Sequence, residues 1–174
     1  YQVLKRKTVP KQLKQEIDQE TFDKSQAYGR AKSEYTFVSN LWNQVKNFVT
    51  IRYNVYPKLW AITGLWMNSY FPSRFQGEIT QSLLFGFTYS FAETLLSLPF
   101  SYYYHFVLEE SFGFNKQTIS LWVGDMLKSQ GLSLAFGIPL GAAFLKIIQK
   151  TGDQFFFYLW AFTLGVQLFA ITIY

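Results

Sequence analysis

An all-α, multi-span helical membrane fold with a polar, amphipathic N-terminal helix is predicted by three observations. Uncharged apolar runs fill the last two-thirds of the chain, cationic residues crowd the first third, and 21% of the residues are aromatic. A helix needs roughly 20 apolar residues to cross a bilayer core about 30 Å thick. Residues 154–174 alone supply 21 without a charge. Aromatic rings are favoured where helices meet the membrane interface and where long helices pack.

Residues 1–55 read as a juxtamembrane arm followed by an amphipathic helix. The first 20 residues are polar, and helix is expected from about Thr21. Tyr28, Ala31, Tyr35, Val38, Trp42, Val45 and Val49 then recur at alternating steps of three and four, which lines one apolar stripe along a helix. The other face carries Lys24, Arg30, Lys32, Glu34 and Lys46. Such a helix packs on a neighbour or lies on the membrane surface. Pro57 is expected to interrupt it.

Residues 56–174 read as a membrane domain with about four spans, at 56–72, 82–108, 129–149 and 154–174. The first is short: Leu59 to Phe71 is uncharged but needs Ile51 to Tyr56, with Arg52 and Lys58 snorkelling, to cross. The second carries one acid, Glu93, and a helix-kinking Pro99. Glu109 to Lys128 is polar overall, and Asn115 is expected to cap an interfacial helix bearing Ile119, Trp122, Val123, Met126 and Leu127 on one side. The third span contains Gly137, Pro139 and Gly141, and Lys150 to Asp153 forms a tight turn that makes the last two spans an antiparallel hairpin. Eleven of the 16 Lys and Arg residues lie between Lys5 and Lys58, which places the arm in the cytoplasm. The loop at 71–81 is then lumenal, 109–128 cytoplasmic, 150–153 lumenal, and Tyr174 returns to the cytoplasmic side. If Leu59 to Phe71 does not cross, each later assignment inverts. The apolar run is still open at Tyr174, and no Met stands at position 1, as expected of a piece of something longer.

Chemistry is sparse. Cysteine is absent and His105 is the one histidine, so thiolate sites are excluded and a Ser-His-Asp triad could form only around His105. No G-x-S-x-G, H-E-x-x-H or phosphate-binding glycine loop occurs. Catalytic, cofactor-binding and metal-ligating residues are therefore not expected within this chain. Glu16, Asp18, Glu20, Asp23 and Glu34 interrupt the basic leader, so no continuous surface for nucleic acid is expected. Glu93, the one ionisable group deep in an apolar run, marks either a water-filled cavity or a partner, or lies near one end of a tilted helix.

One block lifts the reading above a generic membrane protein. Residues 106–118 read Phe106-Val107-Leu108-Glu109-Glu110-Ser111-Phe112-Gly113-Phe114-Asn115-Lys116-Gln117-Thr118. This resembles the Phe-x-x-Glu-x-x-x-Gly-Phe-Asn signature of the CAAX prenyl proteases. Four further blocks resemble the family in the same order: Glu20 to Ser25, Glu78 to Leu83, Leu98 to Ser101, and Gly152 to Phe156. Together they cover nearly the whole chain, and the fungal members are the nearest in character.

The resemblance implies a seven-span zinc metalloendopeptidase of the endoplasmic reticulum membrane and inner nuclear membrane. Its helices enclose a water-filled chamber, of which this chain would supply about four spans. It implies prenylated protein or peptide substrates, the lipid bilayer and the rest of the same polypeptide as partners. The zinc, held by H-E-x-x-H and a downstream glutamate, would lie outside this chain. Glu109, Glu110 and Asn115 within the block, and Glu93, which matches no family motif, are candidate structural or chamber residues. Glu109 and Glu110 follow a span at its C-terminal end, where the helix dipole disfavours acids by about 0.3 to 1 kcal/mol. Glu109, the better match to the block, is expected to pair with a cation of the catalytic portion. Gly113 is expected to supply the positive-φ turn after the helix. A transporter or channel segment is the alternative, but no internal repeat is seen. A non-catalytic membrane scaffold would leave the motif blocks unexplained.

Overall fold

The computed structural model describes residues 3–10 and 16–173; the remainder of the expected arm, and Tyr174 at the end of the last span, lie outside the described residues. Among the described residues there is no strand. The long helices are α1 (Gln19–Arg52), α2 (Val55–Tyr70), α3 (Glu78–Tyr103), α4 (Ile119–Thr151) and α5 (Phe155–Ile173). Short 3₁₀ turns occupy Val3–Lys5, Ser73–Phe75 and Gly152–Gln154, and a π-helical segment, Tyr104–Glu109, continues α3. The chain divides into two compact units: residues 1–56 with 94–118, and residues 57–93 with 119–174.

The helices obey their local signals with three differences from the sequence reading. α1 starts two residues earlier than expected, because the Asp18 carboxylate accepts a hydrogen bond from the Thr21 N–H at 3.0 Å and caps the first turn. The break after α1 falls at Asn54, which adopts φ 51°, and not at Pro57. Asn is among the few non-glycine residues that enter the left-handed region readily. Pro57 instead sits in the first turn of α2, where its missing N–H costs nothing. Finally, the interfacial helix and the third span are one helix. α4 runs unbroken for 33 residues, about 50 Å, carrying the amphipathic stretch before Lys128 into the apolar one after it.

Within the second unit, small residues set the packing. Gly137 and Gly141, one turn apart on α4, receive Phe87 and Leu83, one turn apart on α3. A Cβ on Gly137 would lie 3.0 Å from Phe87 Cζ, and one on Gly141 would lie 2.9 Å from Leu83 Cδ2. Such spacing lets helices approach closely where lipid supplies no hydrophobic drive. α2 meets α3 through Trp60 and Phe85, with ring centroids 5.7 Å apart, and through Gln81 Nε2, which donates to the Trp60 carbonyl at 3.0 Å. Gly152, at φ +50°, turns the chain from α4 into α5, and the two pack as the expected antiparallel hairpin.

Few side chains are buried. Among the described residues the buried apolar set is Val9, Phe22, Met67 and Leu108, while Phe156 and Ile171 are each 76% exposed and Phe169 68%. A soluble chain of this size would bury roughly 70% of its surface. Apolar helices exposed on this scale need a lipid or protein surround. Two stretches, Glu78–Glu109 and Ile119–Thr172, are long and apolar enough to cross a membrane, the second holding both α4 and α5. α2, at 16 residues, extends about 24 Å, short of a hydrocarbon core.

Candidate functional site

The signature-like block builds a junction in the first unit, and α3 prepares it. Pro99 withholds an N–H from the Leu95 carbonyl. One turn further on the helix widens into the π-helical Tyr104–Glu109. Such widenings often stand at functional sites. The Tyr35 hydroxyl of α1 donates to the Phe100 carbonyl here at 3.2 Å, and Trp42 stacks on Phe100 with centroids 5.8 Å apart.

Beyond Glu109 the helix ends in a Schellman turn. The Phe114 N–H donates to the Glu109 carbonyl at 2.9 Å, and the Gly113 N–H donates to the Glu110 carbonyl at 3.0 Å. Gly113 takes φ 74°, as its place in the block implies. Asn115 does not cap α4, which begins four residues later. Its Oδ1 accepts from the Gln117 N–H at 2.9 Å, closing an Asx turn, and its Nδ2 donates to Glu110 Oε2 at 2.9 Å.

These turns present Glu109, Phe112 and Phe114 to one residue of α1. The Tyr28 hydroxyl donates to Glu109 Oε1 at 2.5 Å, the length of a charge-assisted O–H···O⁻ bond. Phe112 and Phe114 meet the Tyr28 ring edge-on at 5.3 and 5.0 Å. Lys32 Nζ lies 5.7 Å from the Tyr28 ring and 5.9 Å from the Tyr104 ring, adding positive charge beside the carboxylate. Glu109 is therefore engaged within the chain, by a phenol. Tyr104 also hydrogen-bonds this carboxylate, which with about four lone-pair sites keeps room for a further cation.

Two cavities flank Tyr35 and Phe100. One, of about 580 Å³, is lined mainly by apolar side chains such as Val38, Pro99 and Leu108, with Glu34 and Ser111 at its edge. The other, of about 270 Å³, is polar: Ser39, Asn43 and Lys46 on α1 face Ser97, Ser101 and His105. His105 is half-buried and stands edge-on to Tyr104 at 5.2 Å. Glu93 is half-buried on α3, in the second unit. Within the first unit Glu109, Glu110 and Asn115 come together. Tyr28, which ties them to α1, had no sequence signal beyond its place on an apolar stripe.

Zinc needs three or four nitrogen, sulfur or oxygen ligands converging at about 2.0 to 2.3 Å. Among the described residues no group of three His, Asp or Glu side chains could hold a metal ion. The described residues do not fit a zinc centre.

The apolar spans, glycine-mediated helix contacts and exposed apolar faces define a helical multi-pass membrane protein. The sequence profile of the family described as "CAAX prenyl protease N-terminal, five membrane helices" matches residues 1–174, and the chain belongs to that family. It is 43% identical to CAAX prenyl protease 1 of Saccharomyces cerevisiae over 99% of this chain and 39% of that protein. It is 37% identical to the human CAAX prenyl protease 1 homolog, over 95% of this chain and 35% of that one. The crystal structure of S. mikatae Ste24p superposes with a TM-score of 0.90 at 42% identity, covering 99% of this chain and 40% of that one. The chain spans about two-fifths of the length of these relatives.

Proposed function

We propose that this chain is the N-terminal membrane portion of a zinc metalloendopeptidase that cleaves prenylated C-terminal CAAX proteins, resident in the endoplasmic reticulum membrane. The observation that carries this reading is the match to proteins named CAAX prenyl protease 1 along nearly the full chain, in sequence and in fold together. The zinc ligands belong to the portion of the protein outside this chain, as the family resemblance implies. This chain's own contribution is to form part of the membrane enclosure and to hold the junction of Tyr28 with residues 106–115.

In this reading the segments at 56–72, 82–108, 129–149 and 154–174 cross the membrane, the bilayer thinning locally around the 16-residue α2, and 1–55 lies on the cytoplasmic side. Glu109 pairs with a cation of the catalytic portion while Tyr28 fixes its orientation, docking the loop 109–118 against that portion. Glu93 faces a water-filled cavity. The test is to read the remaining coding sequence for H-E-x-x-H and to measure zinc in the purified full-length protein. One equivalent of zinc with the motif supports the proposal; a full-length protein lacking both overturns it.

A further inference from the structure

A cationic cavity lies at the start of α1, where the preceding segment folds back on the helix. Two hydrogen bonds fix that segment. Arg30 Nη1 donates to the Leu4 carbonyl at 2.8 Å, and Gln19 Nε2 donates to the Lys7 carbonyl at 2.8 Å. Packing reinforces both: Leu4 covers Gly29, where a Cβ would lie 2.7 Å from Leu4 Cδ2, and Val9 and Phe22 are buried. The result is a cavity of about 560 Å³ lined by Lys5, Arg6, Lys7 and Arg30, with Asp23 and Gln26. Four cations thus face one carboxylate, and Asp23 Oδ1 already accepts from Gln19 Nε2 at 2.8 Å.

We infer that this cavity binds a phosphomonoester, an anion whose charge matches the cationic surplus. Lys5, Arg6, Lys7 and Arg30 match a group carrying between one and two negative charges, and an Arg fork suits its oxygens. The monoester's second pKa of about 6 gives it more than one negative charge near neutral pH, whereas a phosphodiester or a carboxylate carries one. The group comes either from an anionic lipid headgroup, which a cytoplasmic juxtamembrane arm would meet, or from free phosphate. The chemistry of the cavity is independent of the peptidase reading; only the lipid source rests on the proposed membrane topology.

The experiment uses full-length protein in a neutral detergent, titrated calorimetrically with dioctanoyl phosphatidic acid, inorganic phosphate and dioctanoyl phosphatidylcholine. Saturable binding of phosphatidic acid or of phosphate is expected, with none for phosphatidylcholine. The Lys5→Gln/Lys7→Gln double variant should bind roughly ten-fold more weakly or worse. Lys24→Gln, whose amine pairs with Glu20 at 2.8 Å, should bind as the unaltered protein does. Phosphate that competes with the lipid identifies free phosphate as a sufficient ligand; lipid binding that phosphate does not displace identifies the headgroup. Should the double variant lose its helical circular dichroism, Arg6→Gln gives the same test with a smaller loss. Absence of saturable binding for both phosphomonoesters, or undiminished affinity in the folded charge variants, overturns the inference.

Discussion

Glu109 and Tyr28 stand 81 residues apart in sequence, and their bond holds α1 to the π-helical end of α3. A hydrogen bond to a charged group contributes about 1.5 to 3 kcal/mol when buried, and less at a half-buried position. A double-mutant cycle of Tyr28→Phe and Glu109→Gln in the full-length protein should therefore show a coupling of about 1 kcal/mol in thermal unfolding. Additive losses would mean that the bond contributes nothing. For activity, Glu109→Gln should reduce peptide cleavage strongly at near-normal expression, and Glu110→Gln only mildly, since Glu110 is exposed and bonds only the Asn115 amide among the described residues. Full activity in Glu109→Gln would remove the docking role. The block around Glu109 was legible because Gly113 and the acids flank a helix end. Tyr28 as its partner was not, since no spacing rule links two residues on different helices. The gathering of Arg30 with Lys5 to Lys7 was hidden for the same reason, so the leader read as a charge mixture.

At the scale of elements, α5 was legible from uncharged length, α3 from a long apolar run with a single acid inside it, and the α4–α5 hairpin from the shortness of residues 150–153. The unity of α4 was not. Its composition changes near Lys128 from amphipathic to apolar, but nothing there stops a helix: neither Pro nor a capping Gly lies between Met126 and Gln130. Hydrophobicity reports the surroundings of a helix, and backbone hydrogen bonding decides its extent. The Asn54 break was missed because Pro57 is the louder signal. Two predictions belong here. Gly113→Ala places a Cβ at φ 74° and should destabilise the full-length protein by about 1 to 2 kcal/mol, read as a lower melting temperature in detergent. An unchanged melting temperature would mean that the Schellman turn is not maintained.

The second element-scale prediction concerns Asp18, whose carboxyl is held below its ordinary value of 3.8 by hydrogen bonding from the Thr21 side chain and then from the Thr21 backbone N–H. A group depressed in the folded state stabilises it above the unfolded pKa and loses that effect as pH falls through the folded pKa. The first turn of α1 should therefore fray as pH drops below 3.8, visible in the backbone NMR shifts of Gln19 to Phe22. In Asp18→Asn, which caps without titrating, the same shifts should stay flat. A pH response surviving in that variant would assign it to another group.

On the scale of the whole molecule, the apolar surfaces left open on α4 and α5 define what must surround them. The family description of five membrane helices agrees with that demand, and the sequence alone reached the same class through aromatic content and uncharged runs. Sidedness tests the proposed arrangement. In the full-length protein, a single cysteine at Ser25 should react with an impermeant reagent from the cytoplasmic face only, and one at Gly152 from the lumenal face only. Labelling of both from one face would mean an even number of crossings between them and contradict the three proposed.

The central claim is that this chain serves a protease of prenylated C-termini, and the most direct measurement is cleavage by the purified full-length protein. Incubated with a farnesylated CAAX peptide, it should cut next to the prenylated cysteine and spare the unprenylated peptide. A zinc chelator should abolish the cleavage, and added zinc should restore it. An intact farnesylated peptide, in the presence of folded, zinc-loaded protein, would contradict the account.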